Sequence, residues 1–344
     1  MLAKHQKLAW LGLLVVSSLV YLVVSGRRFH PQPPIFPPAQ EEQVLLCGSS
    51  LAPNTTVQLP TLFFITPTYR RREQVAELTR LSQTLLLAHT TQAARLHWVL
   101  AEDSPTCSPL VSDLLTRLGL PHTHLASPMP QLYRRANLKW VPRGVSSRRA
   151  GLAWVLAHAM AGVVYFGDDD NTYDLRLFTQ MATTKRVSMF PVGFIGAQGV
   201  SSPVVVDGAV VGFSDDWFAQ RRFPVDMAGF AVNLTFLRQR NPRSATAMPY
   251  KAGYEEDLFL QSLNISLGEV EPLGRDCTEV MVWHTKTVKE KVAQLWVGTQ
   301  GMTLGSSLFG LLNHVASTGI AEKTHASGHR MKTCFNLEKC KTIK

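Results

Sequence analysis

The sequence predicts an α/β fold with a mainly parallel sheet and flanking helices, set behind an N-terminal transmembrane helix. Three observations predict it. From Leu59 onward, short apolar runs alternate with stretches of helical spacing, which implies βαβ crossovers. An uncharged run, Leu8–Val24, precedes a proline-rich segment. Of the 344 residues, 45% are hydrophobic, enough for one large or two small domains with a real core.

Taken in order, Leu8–Val24 approaches the roughly 20 residues that cross a bilayer core, with Lys4 and Lys7 before it and Arg27 and Arg28 after it. The short N-terminal tail and the lack of an A-x-A site favour a signal anchor over a cleaved signal peptide. The reading is a cytoplasmic tail at 1–7, a transmembrane signal anchor at 8–25 and a luminal stem at 26–58. Pro31, Pro33, Pro34, Pro37, Pro38 and Pro53 make that stem too proline-rich to build a core. Three N-x-S/T sequons, at Asn54, Asn233 and Asn264, suit a luminal body. The five cysteines, Cys47, Cys107, Cys277, Cys334 and Cys340, have no close CxxC pairing, which argues against zinc. An odd count leaves one thiol over in an oxidising compartment, and Cys47 is the candidate for a bridge to a second chain.

In the body, strands are expected at Leu62–Thr66, Leu96–Leu100, Val163–Phe166, Ser188–Ile195 and Val280–Lys286. Helices are expected at Glu73–Ala88, Pro109–Leu118, Val145–Met160 and Tyr173–Thr183, with a further helical run over Leu258–Leu263. The region 288–344 changes character, with a short helix at Leu308–Val315 inside a poorly ordered tail. The formal charge is +10, but nine Lys/Arg against three Asp/Glu fall in 286–344. The folded body is near neutral, which excludes a nucleic-acid face.

Chemistry concentrates where strands end. Val163–Phe166 runs into Gly167-Asp168-Asp169-Asp170, and three adjacent carboxylates call for an offsetting cation. Hard divalent ions take one or two protein carboxylates when substrate phosphates complete the shell, so the triplet predicts a metal-bound nucleotide diphosphate. The competing possibility is that these acids simply cap the next helix. Thr66-Pro67-Thr68-Tyr69 and Glu102-Asp103 close two other strands, where Tyr69 suits stacking on a base and Asp103 suits accepting from an imide N–H. Arg143, Arg148 and Arg149 load a helix start with positive charge, which an anion would explain. Glu255-Glu256-Asp257 begins the run at Leu258, a rigid mount for a general base. His284-Thr285-Lys286 offers groups that donate to a diphosphate.

Together the phrases ITPTYRR, RLHWVLAED, VPRGV, VVYFGDDDNTYD, FPVDMAGFAV, GYEEDLFL and CTEVMVWHTKT, in this order over Leu59–Thr287, resemble the β-1,3-glucuronyltransferases of glycosyltransferase family 43. The resemblance implies a GT-A catalytic domain at 59–287, Mn²⁺, UDP-glucuronate as donor, a terminal galactose of a glycoprotein or proteoglycan glycan as acceptor, a Golgi membrane location and a homodimer. Carried over by position, Pro67, Thr68, Tyr69, Asp103, Arg143, Arg148, Asp168, Asp169 and Asp170 would contact the donor. Asp170 would bind the metal, and His284, Thr285 and Lys286 would bind the diphosphate. Glu256 would be the catalytic base, and Trp217, Arg221 and Asp226 would hold the acceptor. The chain departs from the family's usual Arg at Lys286, its glutamate near Ser201, its asparagine at Arg149 and its sequence after Thr287. These departures leave open a weakly active glycan-binding paralogue or a transferase with another UDP-sugar.

Overall fold

The computed structural model describes residues 42–50, 60–134, 141–288, 293–296, 307–324, 332–335 and 339–342. Leu8–Val24, Asn54 and most of the expected stem lie outside the described residues. Among the described residues, no helix is long and apolar enough to cross a membrane.

Strands β2 (Thr61–Thr68), β3 (Arg95–Glu102), β4 (His122–Ala126) and β5 (Val163–Phe166) run parallel in the order β4-β3-β2-β5. They are near-continuous apolar runs because both faces are covered. Alternate residues serve the two faces. Leu62 and Phe64 pack with Leu78, Leu81 and Leu85 of helix α1 (Gln74–Thr90) and with Val111 and Leu115 of α2 (Pro109–Leu118). Phe63 and Ile65 pack instead with Leu152 and Val155 of α3 (Val145–His158). Pro109 starts α2, and Gly119, at φ 69°, ends it.

The sheet is mixed, which corrects the expectation of a mainly parallel one. Strand β11 (Phe230–Asn233) lies antiparallel between β5 and β7 (Val187–Met189), and β12 (Val270–Pro272) extends the sheet beyond β7. The run Ser188–Ile195 is not one strand. Pro191 has no N–H to continue the ladder, so β7 stops before it and β8 (Val192–Gly193) joins a second sheet. That sheet orders β10 (Ala209–Ser214), β9 (Val200–Val206), β8, β13 (Val282–Trp283) and β6 (Thr172–Tyr173). Tyr173 is therefore in a strand, and α4 (Leu175–Met181) starts two residues later, capped by Asp174, which accepts from the Arg176 N–H. Helices α5 (Leu234–Arg240) and α6 (Glu255–Ser262) follow, and α7 (Ser307–Ser317) matches the short helix expected near the C-terminus.

At the other edge, β1 (Leu45–Ser50) pairs antiparallel with β4, so the folded body begins inside the expected stem. This strand brings Cys47 to Cys107, with Cα atoms 5.7 Å apart, in a disulfide. Cys47 is thus bonded within its own chain, and the expected bridge from Cys47 to a second chain is withdrawn. Cys277 is a free, half-buried thiol. Just before β1, Glu42 pairs with Arg149 of α3 (3.0 Å) and accepts from the Tyr250 hydroxyl (2.5 Å). Tyr250 also stacks on Tyr133, with ring centroids 4.3 Å apart.

Candidate active site

A cavity of 540 Å³ opens at the carboxyl ends of β2, β3 and β5. Pro67, Thr68, Tyr69, Asp103, Arg143, Arg148, Asp168, Asp169, Asp170 and His284 line it, ten residues that the sequence assigns to one ligand. The cavity is also lined by Arg71, Met129, Arg134, Val141 and Gly144, which sequence reasoning missed. Gly144 caps α3 at φ 75°, and a Cβ there would lie 2.7 Å from the Arg148 guanidinium and 3.2 Å from Pro67. A side chain at 144 would close this wall.

The three aspartates do not converge. Asp168 pairs with Arg148 (2.5 Å), and buried Asp169 pairs with Arg71 (2.7 Å) while accepting from Thr68 Oγ1 (2.6 Å). Asp170 faces no ion-pair partner among the described residues, and its backbone carbonyl is fixed by Thr285 Oγ1. Burial, then the neighbouring charges of Asp168 and Asp169, push its carboxyl up to about 6. A half-buried carboxylate with no ion-pair partner is what a divalent ion with substrate oxygens would complete. Among the described residues there is no ready cage of three or more His, Cys, Asp or Glu. Asp170 therefore fits a site with one protein ligand and phosphate oxygens supplying the rest.

Asp103 Oδ1 accepts from the Met129 N–H (2.7 Å) and from Arg134, so its carboxylate is held in one orientation. Arg71 sits 4.7 Å from the Tyr69 ring centroid and Arg143 sits 6.0 Å away. His284 is carried in by β13, where its N–H donates to Gly193 O (2.9 Å), and its ring lies 3.5 Å from Asp226. The Asp226 carboxylate beside it raises the imidazole's affinity for its proton.

Beside this wall, Glu256 sits in the first turn of α6. Its Oε2 is buried without a hydrogen-bond partner. Burial, then the charges of Glu255 and Asp226, raise its carboxyl to about 8, with Arg148 acting in the opposite direction. Asp257 does structural work instead: it accepts from the Phe223 N–H (2.8 Å) and from Gln261 (2.7 Å). Trp217 covers the start of α6, edge-on to Tyr254 with centroids 5.4 Å apart. Gly253, at φ 82°, admits it, because a Cβ there would meet the indole at 2.3 Å. Arg221 pairs with buried Asp215 (3.0 Å) and lies 4.6 Å from the Trp217 ring.

The sequence model of "Glycosyltransferase family 43" matches residues 81–288. The chain belongs to glycosyltransferase family 43. It is 50% identical over 273 residues to galactosylgalactosylxylosylprotein 3-beta-glucuronosyltransferase S of Drosophila melanogaster, covering 79% of this chain and 64% of that protein. It is 47% identical to the corresponding enzyme P of the same fly, over 68% of this chain and 47% of that protein. With 3-beta-glucuronosyltransferase 2 of Rattus norvegicus it shares 45% identity over 69% of this chain and 72% of the relative. The chain thus spans less than two thirds of the length of the two fly relatives.

Within this family 43 chain, Thr285 and Lys286 are off the cavity wall: Thr285 holds the Asp170 backbone, and Lys286 is exposed. Asp226, expected among acceptor contacts, touches His284 and so joins the two halves of the site. Ser201 is buried in β9. Arg71 escaped notice although ITPTYRR carries two arginines directly after Tyr69, the one signal that pointed to it. Asn233 caps α5, accepting from the Thr235 and Phe236 N–H groups while its Nδ2 donates to Thr184 O (3.1 Å). Asn264 is exposed, and among the described residues its side-chain amide makes no such bond.

Proposed function

We propose that this chain transfers glucuronate from UDP-glucuronate to the 3-hydroxyl of a terminal galactose, with inversion to a β linkage. The observation that carries the reading is Glu256: a buried carboxylate with an unpartnered oxygen, on a rigid helix start, beside a cavity lined by cationic and metal-competent groups. Asp170 would hold Mn²⁺, which when bound supplies positive charge to the departing diphosphate. Arg148, Arg143 and His284 line the same cavity and would complement the phosphates and the donor carboxylate. Tyr69 offers a ring face to uracil, and the fixed Asp103 carboxylate accepts its imide N–H. Glu256 takes the proton of the galactose 3-hydroxyl as that oxygen bonds to the anomeric carbon and the bond to the UDP oxygen breaks.

The same reading anchors the body in the Golgi lumen through Leu8–Val24, as a homodimer with no Cys47 bridge. The Cys47–Cys107 disulfide and the exposed Asn264 sequon suit an oxidising, glycosylating compartment.

The test is UDP release and product mass for a set of donors with a β-galactoside acceptor and Mn²⁺. Turnover with UDP-glucuronate, a mass gain of one glucuronate and loss of turnover on chelation are expected. Turnover with a UDP-hexosamine but not UDP-glucuronate, or none at all, would refute the reading.

A further inference from the structure

Glu102 ends β3 beside Asp103, yet its side chain is buried and does not line the cavity. Its Oε1 accepts from His124 Nε2 of β4 (2.6 Å) and from the Ser108 N–H (2.9 Å). His124 is buried as well, and its Nδ1 lies 3.1 Å from Ser112 Oγ of α2. A hydrogen-bonded chain therefore runs from Ser112 through His124 and Glu102 to Ser108. Burying such a pair costs desolvation, and well-packed apolar residues of the same volume often hold a core as well or better. What a satisfied polar network adds is one fixed arrangement of the groups it joins.

The group fixed here is the loop that presents Asp103. Its far end is tied twice, at Ser108 by Glu102 and at Cys107 by the disulfide to Cys47. Within it, Ser104 Oγ donates to Thr106 O (2.7 Å). At its near end the Asp103 N–H donates to Thr68 O (2.7 Å), and Glu102 O accepts from the Ser127 N–H (2.8 Å). Two residues beyond Ser127, the Met129 N–H holds Asp103 Oδ1. Glu102 thus touches both segments that orient the Asp103 carboxylate, the loop that follows it and the chain from β4 to Met129.

We propose that Glu102, braced by His124, is a positioning residue for base recognition: it fixes the loop from Asp103 to Ser108 so that the Asp103 carboxylate meets the imide N–H of uracil. This rests on the reading that Asp103 accepts that N–H. A polar contact of this kind is productive only when its supporting residues hold it to within about 0.5 Å.

The experiment titrates UDP into the full chain with Mn²⁺ and follows glucuronate transfer in the same variants. Glu102→Asp keeps the charge but withdraws the carboxylate by one methylene, whereas Glu102→Gln keeps an acceptor oxygen within reach and removes the charge. Glu102→Asp is expected to raise Kd for UDP and KM for UDP-glucuronate about tenfold with kcat unchanged, and Glu102→Gln is expected to leave both unchanged. Asp103→Asn is also expected to weaken UDP, and adding Glu102→Asp to it should cost nothing further, an outcome that general damage to the fold would not give. If Glu102→Asp does not fold, Ser108→Pro decides: Ser108 has φ −76°, which proline accepts, and the substitution removes the N–H from the loop side, with the same expected loss. Additive losses in the double variant, or full UDP affinity in Glu102→Asp or Ser108→Pro where Asp103→Asn weakens it, would overturn the positioning role. Full UDP affinity in Asp103→Asn would strike the base contact and the positioning role with it. An unmutated chain that binds UDP but transfers no glucuronate would strike the transfer reading alone, and the UDP titrations would still decide the role of Glu102.

Discussion

At the exit of β5, three adjacent carboxylates have two different fates. Asp168 and Asp169 are each paired with an arginine, and Asp170 has no ion-pair partner among the described residues. Replacing Asp169 with Asn leaves the half-buried Arg71 charge with only Glu77 of its two partners, a change that typically costs about 1–3 kcal/mol. Asp170→Asn removes no ion pair and relieves a carboxyl already pushed up to about 6 by burial and by its neighbours. Thermal denaturation separates the two. Asp169→Asn should lower Tm in plain buffer, whereas Asp170→Asn should not, yet only Asp170→Asn should abolish the stabilisation given by Mn²⁺ with UDP. Stabilisation by Mn²⁺ and UDP that survives in Asp170→Asn would remove Asp170 from the metal site. The triplet was readable from the sequence because three acids at one strand exit repel one another unless a cation offsets them. Which acid stays free was not, because Arg71 and Arg148 reach them only through tertiary structure.

Helices α1, α2 and α3 were readable to within a few residues, since apolar spacing, Pro109 and Gly119 mark their faces and ends. Strand β1 was not: Leu45-Leu46-Cys47-Gly48-Ser49-Ser50 is short, half polar and set among prolines, and only its pairing with β4 makes it a strand. The same blindness hid the disulfide, because spacing alone cannot tell a cysteine that bonds its own chain from one that bonds another. With 60 residues of sequence separation between Cys47 and Cys107, loop-closure entropy gives the link about 4 kcal/mol of stability. Cys47→Ser should therefore lower the urea midpoint substantially, and the unmutated chain should run as a single-chain species on a non-reducing gel. A covalent dimer lost in Cys47→Ser would contradict the internal pairing. The segment from Glu42 also reaches α3 through Arg149 and Tyr250, so the residue that departs from the family's asparagine has a partner of its own.

For the molecule as a whole, alternating strands and helices announced an α/β body, and the positions of the motifs announced one site at the strand ends. The antiparallel β11 and the second sheet were not announced, because runs of two to four residues carry too little periodicity to fix direction. Yet the second sheet is what carries His284 to the cavity that the aspartates line. Charge divides in the same way: arginines and four aspartates face one another around the cavity, while Glu255, Glu256 and Asp226 gather beside it. Burial, together with that gathering, lifts Glu256 to about 8, so in the free protein it is mostly protonated below that pH and becomes a base above it. The most direct measurement is kcat/KM for UDP-glucuronate transfer to a β-galactoside between pH 6 and pH 9.5, in the unmutated chain and in Glu256→Gln. The rate should climb with pH, reach half its maximum near 8 and level off above it, and Glu256→Gln should lose about 10²–10⁴-fold together with that ascending limb while still binding UDP. An ascending limb that persists unchanged in Glu256→Gln, or activity that survives the substitution, would contradict the account.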